Sequence, residues 1–128
     1  MIEDSLCSFE VAKLLDEKRF SERCDYFYQI ATQKLYRPSM ELKEYHIKGI
    51  LYRCPNYAQI FNWLRDNHKI HIVIDCYRSV HDQKLVWSYD IRFLDDRERV
   101  DRYEKLDSPR EAIEAAIKYV LKNEIEVW

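Results

Sequence analysis

Residues 69–93, KIHIVIDCYRSVHDQKLVWSYDIRF, carry apolar side chains on alternate positions, and the parity of those positions changes halfway. Ile70, Ile72, Ile74 and Cys76 share one face of an extended chain, with His71, Val73, Asp75 and Tyr77 on the other. Beyond the turn the apolar set is odd-numbered, Trp87, Tyr89, Ile91 and Phe93, opposed by Ser88, Asp90 and Arg92. Residues paired directly across an antiparallel hairpin have a constant number sum. Both apolar sets reach one core only if that sum is odd, which requires a loop of even length within SVHDQK. A sum of 163 pairs Ile74 with Tyr89, Cys76 with Trp87 and His71 with Arg92. A slip of one residue would expose the whole apolar set. The stretch therefore reads as the central hairpin of a fold, with Cys76 in the core. The alternation leaves His71, Asp75, Asp90 and Arg92 on its outer face, and His71, Tyr77, Arg78, Asp90 and Arg92 are the candidate partner-binding surface.

Helices flank this hairpin. Ser8 can cap a helix from about Phe9 to Lys18, with Val11, Leu14 and Leu15 as its apolar stripe. PNYAQIFNWLRDNH reads as a second helix, with Asn56 as cap, Gln59 completing a capping box and Tyr57, Ile60, Phe61 and Leu64 buried. This places Trp63 at the edge of the buried stripe. The third has Ser108 and Glu111 as a capping box, Pro109 at its first position, and a stripe of Ala112, Ile113, Ala116, Ile117, Val120 and Leu121 running to about Asn123. CDYFYQIATQKLYR (24–37) and ELKEYHIKGILYR (41–53) have strand character around a break at PSM, and RVDRYEKL predicts a short third strand after the hairpin. The reading is an α+β fold in one domain, 1–128: an antiparallel β-sheet with helices packed on one face, in the order helix, strands, helix, hairpin, helix. At this length a chain buries roughly two-thirds of its unfolded surface, enough for one core.

Composition excludes several functions. The single glycine, Gly49, rules out the glycine-rich loops of P-loop NTPases and dinucleotide-binding domains, where backbone must approach phosphate closely. No apolar run approaches the roughly 20 residues of a membrane span. The start MIEDSLCSFEV is acidic and lacks the pattern of a secretory signal, which points to the cytoplasm. The four cysteines, Cys7, Cys24, Cys54 and Cys76, are widely spaced with no C-x-x-C pair, and read as reduced, mostly buried small hydrophobes. The net charge of −2 divides into −3 over 1–25, +3 over 26–53, +1 over 54–94 and −3 over 95–128. That central bias falls well short of the basic stripe of a phosphate-backbone binder.

Candidate chemistry is thin. His68 and His71, with Asp75 or His81, suggest a metal site, but only His71 and Asp75 share a strand face, so no closed ligand set results. DQK (82–84) and ELK (41–43) match half of a metal-dependent nuclease motif, as chance allows in a chain rich in acids and lysine. No serine sits in a nucleophile elbow, and parity sends Cys76 and His71 to opposite faces. No enzyme, metal or cofactor is therefore expected. The Tyr-Arg pairs at 36–37, 52–53 and 77–78 suit half-buried structural roles, partner recognition or stacking on single-stranded bases.

SFEVAKLLDEKRFSERCDYFY (8–28) and CPNYAQIFNWLRDNHKIHIVI (54–74), followed by WSYDI and YEKLDSPREAIEAAIKYVL, resemble a family of short proteins from bacterial prophages and mobile elements. Its members open with S-x-E-V-A-K-L-L-K-E-K-G-F, start a central helix with P-T-Q before W-L-R, and close on Y-x-T-Y-E-E-A-L-E-A. The match covers most of the chain in the same order. It implies phage or mobile-element ancestry and a small α+β fold, and transfers no functional residue. Arg19 replaces the family's helix-ending glycine, which predicts a lengthened or distorted helix end. Asn56 replaces a threonine cap and preserves capping. The expectation is a non-enzymatic accessory protein acting through an unidentified protein partner, with no membrane and no nucleic acid. The alternative is a nucleic-acid-binding accessory using the basic, tyrosine-rich segment 26–53.

Overall fold

The computed structural model describes residues 5–125, with backbone alone for 100–105. Met1–Asp4, on which the reading of an acidic start partly rests, lie outside the described residues. Helix α1 (Phe9–Glu17) begins where Ser8 Oγ accepts the Val11 N–H at 3.2 Å. At its other end Arg19 takes the left-handed conformation, φ 65°, that glycine would adopt more easily. The Arg19 N–H donates to Asp16 O and the Phe20 N–H to Leu15 O, so the helix closes as a Schellman turn without lengthening or distortion. Phe20 is thereby buried edge-on against Trp63, ring centroids 5.2 Å apart.

Helix α3 (Tyr57–His68) starts where Asn56 Oδ1 accepts the Gln59 N–H at 2.8 Å. The Gln59 amide donates to Arg23 O instead of returning to the cap, so only half of the expected capping box forms. Trp63 is fully part of the core rather than at its edge, because Phe20 and His68 close over it, while Phe61 is only partly buried. Helix α4 (Pro109–Asn123) has the expected Ser108 cap and buries Ala112, Ala116, Ile117, Val120 and Leu121.

The hairpin forms in the expected register: β4 (Ile70–Arg78) pairs with β5 (Leu85–Phe93), with Ile74 opposite Tyr89, Cys76 opposite Trp87 and His71 opposite Arg92. The predicted short strand is β6 (Val100–Leu106), which pairs antiparallel with β5 and makes β5 the middle strand. α3 and α4 cover the face that carries Ile70, Ile72, Tyr89 and Ile91, and α1 packs on α4. That cover ends near Ile74. Cys76, placed in the core by its parity, is exposed because the distal hairpin extends beyond the helices.

A second antiparallel sheet forms where the sequence predicts only two strand-like runs. Strands β1 (Phe27–Gln29), β2 (Leu35–Tyr36) and β3 (Leu51–Arg53) are ordered β2-β1-β3, with Tyr28 paired to both Leu35 and Tyr52. ELKEYHIKGILYR is not one strand. It divides into the one-turn helix α2 (Glu44–Ile47) and β3, separated by Gly49 at φ 77°. The Lys43 N–H donates to His46 Nδ1 at 3.0 Å, which satisfies an amide at the start of α2. Phe27, Ile47 and Leu51 form a separate, three-residue buried cluster beneath this sheet. Among the described residues no helix is long and apolar enough to cross a membrane.

Candidate functional site

Three regions carry groups able to do chemistry or bind. On the hairpin's outer face, His71 and Arg92 are exposed opposite each other. Asp90 is not exposed: it is 5% accessible, and Val86 and Ser88 on the same face are also buried. β5 is the middle strand of the sheet, and the Arg99 side chain meets Asp90 on this face. The Arg99 guanidinium closes on Asp90 Oδ2, and Arg92 Nη2 lies 3.8 Å from the same oxygen. Arg78 is engaged in the turn, donating to Gln83 O at 2.7 Å. Of the five candidates, His71, Tyr77 and Arg92 remain outward, Arg78 braces the loop and Asp90 is an internal counter-ion.

The second region lies in segment 26–53, which the sequence offers as the alternative, basic and tyrosine-rich surface, without its apolar groove. Leu35, Tyr36, Met40, Tyr45 and Ile50 are large apolar side chains left exposed on and around the small sheet, with Met40 at 72% and Tyr45 at 74%. Tyr36, Met40 and Ile50, with Pro38 and Leu42, line an open groove of about 540 Å³. Lys34, Arg37, Lys43 and Lys48 are exposed in the same segment of the chain. Within 26–53, five basic residues outnumber two acidic ones, and one acid, Glu44, is held by Arg53 at 2.6 Å. A signal existed in the +3 charge and the turn residues Pro38 and Gly49. The apolar residues, however, read as strand interior.

The third region is a thiol cluster. Cys7 and Cys54, both buried, approach to 3.9 Å between sulfurs, and Tyr28 Oη donates to Cys7 O at 2.7 Å. The hydrogen bond to Cys54 and burial push the Cys7 thiol far above the usual range. The same hydrogen bond, accepted by Cys54, draws the Cys54 thiol down. Cys54 also lines an open cavity of about 520 Å³ together with Cys24, whose thiol burial pushes up to about 12. All four cysteines are thiols, of which Cys7 and Cys54 fit the expected buried role.

The proposed ligand sets do not converge. Among the described residues no three His, Cys, Asp or Glu side chains are placed to hold a metal ion. His68 is turned against the Trp63 ring, 4.7 Å between centroids, and Asp82 Oδ1 accepts the Lys84 N–H within the hairpin turn. No protein-family model, curated protein or solved structure matches the chain.

Proposed function

We propose that this chain is a small, cytoplasmic, non-enzymatic accessory protein of phage or mobile-element origin that docks a protein partner on the face of its small sheet. The observation that carries the reading is the grouping of the exposed Tyr36, Met40 and Ile50 around one groove, with Leu35 and Tyr45 exposed in the same segment. Aromatic and methionine side chains are enriched at recognition surfaces. The +3 charge of segment 26–53, with Lys34, Arg37, Lys43 and Lys48 exposed, commits the partner to an acidic segment bearing an apolar anchor, which the positive field would also steer. The resemblance to short prophage and mobile-element proteins supports the ancestry.

The same segment could instead bind single-stranded nucleic acid by stacking, but most of its rings are already engaged. Arg37 lies over Tyr26 at 5.5 Å, and Phe9 packs against both Tyr28 and Tyr52 at 5.6 Å. Protein contact is therefore favoured.

Capture from host lysate tests this, with Met40→Glu and Ile50→Glu compared against His71→Ala and Arg92→Ala. One protein band should survive nuclease, weaken with salt, disappear with the first two variants and persist with the last two. Recovery of nuclease-sensitive nucleic acid alone, or a band indifferent to Met40 and Ile50, overturns the proposal.

A further inference from the structure

The N-terminal segment and the link between β3 and α3 run antiparallel, with Leu6 bridged to Asn56 and the Cys7 N–H donating to Pro55 O at 3.2 Å. This pairing brings together two thiols 47 positions apart in the chain. A disulfide bond is about 2.05 Å long, so closing the 3.9 Å gap requires under 2 Å of sulfur movement, within reach of small χ1 rotations. Both residues are buried, Cys7 at 0% and Cys54 at 1%, and they differ in what lies beside them. Cys54 borders the open cavity shared with Arg23 and Cys24, whereas Cys7 lies behind it.

We propose that Cys54 and Cys7 form an oxidisable dithiol that a small peroxide converts to an intramolecular disulfide. Hydrogen peroxide reaches Cys54 through the cavity. The Cys54 sulfur bonds to one peroxide oxygen as the O–O bond breaks, and the departing hydroxide leaves as water with the Cys54 thiol proton. The product is a sulfenic acid. The Cys7 sulfur then attacks Cys54 Sγ; the S–S bond forms, the S–O bond breaks, and the hydroxyl leaves as a second water with the Cys7 proton. Two thiols lose two electrons and one peroxide gains them. The Cys7 hydrogen bond that draws the Cys54 thiol down favours Cys54 as the first sulfur to react. The resulting ring encloses α1, the small sheet and α2, restricting the unfolded chain across that whole span.

The test uses the full chain carrying Cys76→Ser, which removes the exposed thiol able to join two copies. After equimolar hydrogen peroxide, alkylation and non-reducing peptide mapping, a reductant-sensitive pair containing Cys7 and Cys54 should dominate. Tm should rise by about 5–10 °C and fall back on reduction. Adding Cys7→Ser should leave a sulfenic acid on Cys54 that dimedone traps. The peptide map of the parent chain stands by itself if that variant folds poorly. A link from Cys54 to Cys24, oxidation confined to Cys24, or full alkylation of Cys7 and Cys54 after peroxide would each overturn the proposal.

Discussion

Arg99 caps the buried carboxylate of Asp90, although Asp90 lies on the strand face turned away from the core. The Asp90 side chain is 7% exposed and that of Arg99 49%, so the pair is half open on one side and its strength is discounted by solvent. Removing the cation takes away the nearest counter-charge of a buried carboxylate, with Arg92 at 3.8 Å still beside it. Arg99→Ala is expected to cost about 1–2 kcal/mol in urea unfolding, below the 3–5 of a fully buried pair. Wild-type stability in that variant would show the pair to be a surface ornament.

Arg19 holds a positive φ at the end of α1, a conformation that costs a side-chain-bearing residue energy that glycine does not incur. Arg19→Gly should stabilise the protein by about 0.5–1 kcal/mol, read as an increase in the urea midpoint at constant m-value. A loss of stability would mean that the Arg19 side chain makes a compensating contribution.

The core face of the hairpin ends between Ile74 and Cys76, which gives two substitutions on the same strand opposite outcomes. Ile70, fully buried, should lose about 2–5 kcal/mol as Ile70→Ala. Cys76→Ser should stay within about 0.5 kcal/mol of the parent chain. A large loss at Cys76 would restore it to the core.

His68 supplies a pH dependence. Burial, and secondarily the Arg97 charge, hold its imidazole below the ordinary 6.5. The unfolded chain therefore takes the proton first, and binds more protons than the folded chain between the two values. The stability that neutral His68 confers is complete above about pH 6.5 and is lost as pH falls through that value towards the depressed folded one. Melts between pH 7 and 5.5 should show a flatter decline for His68→Gln than for wild type. Parallel curves would remove His68 as a cause.

The larger sheet was legible because its signals are long and redundant. Two nine-residue strands of opposite parity require an odd pairing sum and exclude a one-residue slip, and the Ser8, Asn56 and Ser108 caps mark three helices. The small sheet offers no such redundancy: its strands are two or three residues long, and α2 has four. The turn between β1 and β2 places Gln33, not glycine, at φ 59°, and the amide at the start of α2 is satisfied by a histidine. Parity placed Asp90 on the correct face but says nothing of the Arg99 side chain that meets it there. The pairing of Cys7 with Cys54 depends on bridged segments far apart in sequence, and spacing alone does not reveal it.

Amide hydrogen exchange on the bound complex tests the docking face most directly. Once the captured partner is in hand, protection should fall on residues 34–51, around Tyr36, Met40 and Ile50, and leave the outer hairpin at His71 and Arg92 unchanged. Protection centred on residues 71–92, with the small sheet unaffected, would contradict the assignment.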